Sequence, residues 1–177
     1  GGHYGTLVWS EYASNGFIND KYYNNDAIKK DFNIYSKTNY KITSKINLFM
    51  DLQYRNVYYS FKGKEQYYGS FIDLNQKYNI SFFNPKAGFI YQFNKNNSVY
   101  CSYAIGNKEP NRNDYVLSKE NNRPKNENLQ NVEAGYKFNK KNIIANINYY
   151  YMYYTNQLVT TGKINDVNVL EVFEKDG

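Results

Sequence analysis

Cysteine is nearly missing from this chain. Cys101 is the only one among 177 residues, so no internal disulfide can form. It alternates with Val99 and Tyr103 and reads as a small apolar strand residue. Histidine is equally scarce, with His3 alone beside the chain start. A hydrolytic triad needs a base beside its nucleophile, and a zinc site needs about four ligands. A Cys–His pair would have to join Cys101 to His3, and chain ends seldom build sites. There is no Gly-rich phosphate loop. The sequence therefore offers no catalytic residue, no metal site and no cofactor, and it does not read as an enzyme. Long apolar runs are absent too: mean hydropathy is −0.82, and no segment nears the ~20 apolar residues of a transmembrane helix. That leaves a membrane open, because a barrel strand shows lipid only its alternate residues. The net charge is +6, but lysine and arginine are scattered and no dense basic run appears, so nucleic acid is not an expected partner. Gly1-Gly2-His3 is not a charged leader with an apolar core. An exported parent has lost its leader, or the chain is an internal piece.

What is abundant is aromatic. Tyrosine supplies 22 residues and phenylalanine 11, against 3 prolines. These rings suit a pleated, half-buried surface, and the polarity alternates with period two, not 3.6. Phe32, Ile34, Tyr40 and Ile42 share one face, against Asp31, Asn33, Lys37, Asn39 and Lys41. Ile46, Leu48, Met50, Leu52 and Tyr54 follow, against Asn47, Asp51, Gln53 and Arg55. Phase is lost near Asn56, where Val57, Tyr59 and Phe61 take over, as a bulge or an exit from the membrane would produce. A second hairpin joins Phe83–Phe93 to Ser98–Ile105. A third joins Leu129–Phe138 to Asn142–Tyr154. In its last strand Ile143, Ala145, Ile147, Tyr149, Tyr151 and Tyr153 form one unbroken apolar face of the ~9–11 residues a tilted barrel strand needs. Ile143, Ala145, Ile147, Tyr149 and Tyr151 should all face lipid, with Asn146 and Asn148 on the other side. His3 to Ala13 reads as a weaker strand, Gln157 to Phe173 as one or two more, and no segment reads as a helix.

The connections are unequal. Thr43-Ser44-Lys45, Asn94-Lys95-Asn96-Asn97 and Asn139-Lys140-Lys141 are tight polar turns. Ser14 to Lys29, Gly63 to Asn79 and Asn107 to Asn128 read as long polar loops. Tight turns on one side and long loops on the other are the pattern of an outer-membrane barrel. The expected fold is thus all-β: an antiparallel, up-and-down transmembrane β-barrel segment of about eight strands, without a domain boundary over 1–177. A soluble or surface-attached β-sheet binding module, carbohydrate-binding or adhesin-like, shares the period, as does a complete eight-stranded barrel.

Further residues carry a family resemblance. Phe83-Asn84-Pro85-Lys86-Ala87-Gly88, Tyr100-Cys101-Ser102-Tyr103, Glu109-Pro110-Asn111-Arg112-Asn113-Asp114-Tyr115, Arg123-Pro124-Lys125-Asn126-Glu127, Glu133-Ala134-Gly135-Tyr136 and Gln157-Leu158-Val159-Thr160-Thr161-Gly162-Lys163-Ile164-Asn165-Asp166-Val167 resemble the later barrel strands of TonB-dependent outer-membrane receptors, in the form common in Bacteroidetes. Tyr4-Gly5 and Trp9-Ser10-Glu11-Tyr12-Ala13 fit the same barrel. Asn126 stands where this family often has proline. The resemblance implies a 22-stranded barrel closed by an N-terminal plug, in the Gram-negative outer membrane. It implies energy-coupled import of a large nutrient, an iron chelate (siderophore) or haem foremost. The partners would be outer-membrane lipid, the receptor's own plug and, through it, TonB. The plug and the final strands are expected to lie outside this chain. Lys108, Glu109, Asn111, Arg112, Asp114 and Arg123, together with Lys119 and Glu120, mix donors and acceptors in one loop and are its candidate ligand contacts. Asp51, Arg55, Glu127, Glu133 and Lys137 are candidates for the lumen wall or plug contact, because Arg or Lys facing lipid at the midplane would cost ~2–4 kcal/mol.

Overall fold

The computed structural model of the protein describes residues 2–9, 19, 21–67, 70–116, 123–164 and 170–176. Among them are ten strands and one helical turn: β1 (Gly2–Thr6), β2 (Lys21–Lys41), β3 (Ile46–Tyr67), β4 (Ser70–Asp73), β5 (Gln76–Asn94), β6 (Asn97–Lys108), α1 (Arg112–Val116), β7 (Glu127–Lys140), β8 (Ile143–Thr155), β9 (Gln157–Ile164) and β10 (Leu170–Lys175). Seven strands pair in the order β1-β2-β3-β5-β6-β7-β8, with β4 added to β3, and β9 and β10 form a separate two-stranded sheet. Apart from β4, consecutive strands are neighbours in the main sheet, which is the up-and-down order expected. Among the described residues no ladder joins β1 to β8, so this is an open run of barrel strands rather than a complete eight-stranded barrel.

Two compact units share these strands. One is Gly1–Phe32 with Asn56–Ser81, the other Asn33–Arg55 with Phe82–Gly177. In the first, β1 lies antiparallel to the start of β2, from Gly2↔Asp26 to Thr6↔Lys21, with an irregularity after Gly5. β4 folds back on β3 from Lys64↔Asp73 to Tyr67↔Ser70. Val57, Phe61 and Leu74 are fully buried there. The Tyr59 ring meets Phe61 edge-on at 4.2 Å. Gly63 has φ +122°, and a Cβ on it would sit 2.2 Å from the Asn24 carbonyl oxygen, so the close approach of β2 requires glycine. The side-chain amide of Asn56 donates to Asn79 at 2.8 Å and to Ser81 at 2.9 Å.

This unit corrects two expectations. Lys21 to Lys29 belongs to β2, and most of Gly63 to Asn79 belongs to β3, β4 and β5. These are not loops. β2 and β3 run for 21 and 22 residues, about twice what crossing a bilayer requires. Outside lipid a strand has no need to alternate, so its polar residues read as loop. Through the phase change at Asn56 β3 continues unbroken, and its odd positions turn apolar there, with Val57 and Phe61 buried and Tyr59 half-buried. Residues 10–13 of the expected first strand and residues 14–18 of the expected first loop lie outside the described residues.

In the second unit the register defines two faces. β5 pairs β6 from Lys86↔Ala104 to Asn94↔Asn97. β6 pairs β7 from Asn97↔Phe138 to Lys108↔Glu127, and β7 pairs β8 from Asn128↔Thr155 to Lys140↔Ile143. Residues directly opposite in such ladders share a face. One face therefore carries Phe89, Cys101, Ala134 and Tyr149, and beside them Tyr91, Val99, Tyr136 and Ile147. The other carries Gly88, Ser102, Glu133 and Tyr150, and beside them Ile90, Tyr100, Gly135 and Asn148. Asn146 lies opposite Lys137 and Tyr149 opposite Ala134, so the two fall on different faces, as expected. The apolar face is open: Ile147 is 71% exposed and Tyr149 63%. A soluble sandwich would bury such residues under a second sheet; here they are bare.

The three tight turns are made by local chemistry. Thr43 Oγ1 accepts from the backbone N–H groups of Lys45 and Ile46, each at 3.1 Å. Asn94 Oδ1 accepts from the Asn96 N–H at 2.9 Å, an Asx turn. At the third turn Lys141 takes the left-handed conformation with φ +45°. That turn is Lys141-Asn142, later than the Asn139-Lys140-Lys141 expected, because the ladder runs on to Lys140↔Ile143. No helix among the described residues is long and apolar enough to cross a membrane, which says nothing of crossing by strands.

Candidate functional site

The polar face of the second unit is held by rings lying on glycines. A Cβ on Gly135 would stand 2.3 Å from the Tyr100 ring and 2.6 Å from Asn148 Oδ1. A Cβ on Gly88 would stand 2.5 Å from the Phe49 ring. Both rings therefore cover backbone that a side chain would otherwise fill. The Tyr100 hydroxyl donates to Glu133 Oε1 at 2.5 Å and also lies 3.1 Å from Asn148 Oδ1. Lys86 Nζ stands 5.9 Å from the Phe49 ring centre, within cation–π reach. Glu133 and Lys137 both lie on this polar face.

At the end of the sheet away from the tight turns, the polar residues converge. Arg55 donates to Glu109 Oε1 at 3.3 Å, and its guanidinium lies 5.9 Å from the Phe82 ring centre. The β5–β6 ladder reaches Lys86↔Ala104, next to Pro85, which has no N–H to donate. Beyond it the Asn84 side chain takes over: its Oδ1 accepts from the Asn107 backbone N–H at 2.9 Å and from Asn107 Nδ2 at 2.8 Å.

The chain then leaves β6 and makes the single turn α1, an exception to the expectation of no helix. Its start is a capping box in part: Asp114, three residues after Asn111, accepts from the Asn111 N–H at 2.9 Å. Tyr115 is buried at 5% exposure. Burial pushes its phenol above the ordinary value, Arg123 opposes the shift, and Glu109 adds to it.

Lys108, Glu109, Asn111 and Asp114 line one cleft of about 230 Å³, together with Glu127, Pro110, Lys125, Asn156 and Leu158. This brings together four of the eight loop residues singled out from the sequence, plus one assigned to the lumen wall. Arg112 and Arg123 are not among its lining residues; Arg123 acts electrostatically on Tyr115 instead. Lys119 and Glu120 lie outside the described residues. Asp51 lies in β3 and, by alternation, shares a side of that strand with Arg55. Pro110, Lys125, Asn156 and Leu158 were missed. Asn156 carried a usable signal, since a lone asparagine between two alternating runs is a turn candidate, and it has φ +54°. Lys125 carried none. The cleft falls below the ~300 Å³ at the lower end of small-molecule pockets, so it is too small to enclose a large ligand by itself. Among the described residues no group of three or more His, Cys, Asp and Glu could hold a metal ion.

The comparisons with known proteins point the same way as the geometry. A family model described as TonB dependent receptor-like, beta-barrel matches residues 1–171. No curated protein matches the chain. Among solved structures, the ferric-catecholate import receptor Fiu of K12 E. coli matches with a TM-score of 0.63 and 18% identity over 85% of this chain. The FrpB iron transporter of Neisseria meningitidis matches with a TM-score of 0.60 and 19% identity, also over 85%. At such identities the likeness is one of fold. The chain spans 24% and 21% of those proteins' lengths. An open all-β antiparallel run, one bare apolar face and a family match over nearly the whole chain agree: the chain belongs to the TonB-dependent receptor β-barrel family of the Gram-negative outer membrane.

Proposed function

We propose that this chain is a barrel segment of a receptor that imports a large nutrient across the outer membrane, an iron chelate (siderophore) or haem, with energy supplied through TonB. The observation that carries the reading is the two-faced sheet. Its bare apolar face suits lipid, and on its polar face Tyr100 donates to Glu133 beside Asn148. A sheet with lipid on one side and water or protein on the other is a barrel wall. Asp51, Arg55, Glu127, Glu133 and Lys137 belong to the lumen wall, facing water or the receptor's plug. Lys108, Glu109, Asn111 and Asp114 form the cargo side of the cleft, and Arg112 and Arg123 supply positive charge for an anionic chelate. The similarity of the fold to two iron transporters supports iron as the cargo.

The test is uptake of radiolabelled ferric chelates and haem by cells whose only iron receptor is the intact receptor. Uptake should stop when the proton gradient is collapsed. Arg112→Ala with Arg123→Ala should lower it without lowering receptor level in the membrane. Uptake indifferent to the gradient would refute coupled import, and an unchanged double variant would remove the two arginines from cargo binding.

A further inference from the structure

Asn107 sits at the foot of the loop that follows β6, and it is saturated with hydrogen bonds. Its Nδ2 donates to Asn84 Oδ1 at 2.8 Å and to the Phe83 carbonyl at 3.1 Å. Its Oδ1 accepts from Asn126 Nδ2 and Asn128 Nδ2, each at 3.0 Å. An amide side chain has two donors and two acceptor sites, so all four are used and its orientation is fixed. The chain of amides continues in both directions. Asn84 Nδ2 donates to Gln53 Oε1 at 2.9 Å. The Asn126 carbonyl accepts from Asn156 Nδ2 at 3.3 Å, and the Asn156 N–H donates to Asp176 Oδ1 at 2.9 Å. The path runs from β3 through β5 and β6, across the second foot of the loop, to the root of the β9–β10 hairpin.

We infer that Asn107 is a positioning residue: the node of a side-chain amide relay that holds the two feet of the 109–126 loop and the root of the β9–β10 hairpin in one geometry. The cleft needs this. Lys108, Glu109, Asn111 and Asp114 line it from the first foot, Lys125 and Glu127 from the second, and Asn156 and Leu158 from the hairpin root. Three separate stretches of chain supply one small cleft, and the relay touches all three. Preorganisation of this kind raises affinity by removing the ordering cost from the binding step. The role in cargo binding rests on the function proposed above; the relay itself does not.

Hydrogen-exchange mass spectrometry on the intact receptor in detergent micelles tests it, with Asn107→Ala and Asn156→Gly. Asn107 makes no bond to the hairpin root, so a purely local role leaves residues 157–164 untouched. The relay instead requires Asn107→Ala to speed exchange about tenfold in residues 123–128 and also in 157–164, the order of effect of losing one or two net hydrogen bonds. Wild-type rates in 157–164 would overturn it. Glycine keeps the left-handed backbone at position 156, so Asn156→Gly removes the amide link, and with it that side chain's part of the cleft lining, without forcing a new turn. It should loosen residues 123–128 from the far end, and no change there would equally overturn the relay. If Asn107→Ala fails to assemble, Asn156→Gly decides. In uptake assays both variants should raise the half-saturating chelate concentration about tenfold with an unchanged maximal rate. A wild-type receptor that imports no chelate would defeat the functional reading, while the exchange data still judge the relay.

Discussion

Adding one methyl group at Gly135 should destabilise the receptor, although the same change in an ordinary strand would help it. Glycine inside a strand is worse than alanine by roughly 0.5–1 kcal/mol, from backbone entropy. At Gly135, however, a Cβ would fall 2.3 Å from Tyr100 Cε1 and 2.7 Å from Cζ. The ring has to leave, and its hydroxyl then loses the 2.5 Å bond to Glu133. A hydrogen bond to a charged group is worth about 1.5–3 kcal/mol. The difference leaves Gly135→Ala less stable by roughly 0.5–2.5 kcal/mol. Gly106, on the same face of the neighbouring strand, has nothing within 4 Å of an added Cβ and no strained φ. Gly106→Ala should therefore be neutral or stabilising. Urea unfolding of the intact receptor in micelles, followed by tryptophan emission or gel mobility, compares the two. Gly135→Ala unfolding at or above the wild-type midpoint would show that the Tyr100 ring is not packed on Gly135 as described.

Two further outcomes are expected. Ile147→Arg places a charge on the open apolar face and should lower the yield of membrane-inserted receptor by the equivalent of ~2–4 kcal/mol, whereas Asn146→Arg, on the polar face, should insert normally; equal yields would mean the faces are misassigned. At alkaline pH, burial favours the neutral Tyr115 phenol, whose folded pKa lies above the ordinary value of 10.0. The stabilising contribution is thus complete below that value and declines as pH rises through the folded pKa. The stability difference between wild type and Tyr115→Phe should stay level up to about pH 10 and then shrink, and urea midpoints on both sides of that pH that show it constant or growing would contradict the burial.

How much of this was legible in the sequence divides along a physical line. Side-chain direction in a strand is a local property with period two. Ile147 and Tyr149 were therefore placed opposite Asn146 without any knowledge of their neighbours. The tight turns were equally local, since Thr43 and Asn94 bond to backbone two or three residues ahead. Gln157 to Phe173 was read as one or two strands, and β9 and most of β10 lie there. The length of β2 and β3 was not. Alternation records two unlike surroundings on the two faces of a strand, and where that difference ends the strand continues on backbone hydrogen bonds that leave no trace in polarity.

The site lies further still from the sequence. Asparagine is common throughout this chain, and nothing local marks Asn84, Asn107, Asn126 or Asn156 from the rest. What selects them is register: Lys108 opposite Glu127 sets Asn107 opposite Asn128. The missing N–H of Pro85 leaves an opening that Asn84 fills, and the left-handed turn at Asn156 brings its amide to the Asn126 carbonyl. The same is true of Tyr100 on Gly135, a contact that exists because β6 and β7 pair at Tyr100↔Gly135. The amino-acid sequence by itself determined the alternation and the two unlike faces of the hairpin strands, because these follow from each residue's own neighbours. Only the tertiary structure decided which amides and rings meet, because a one-residue slip between strands would change every partner while leaving the alternation within each strand unaltered.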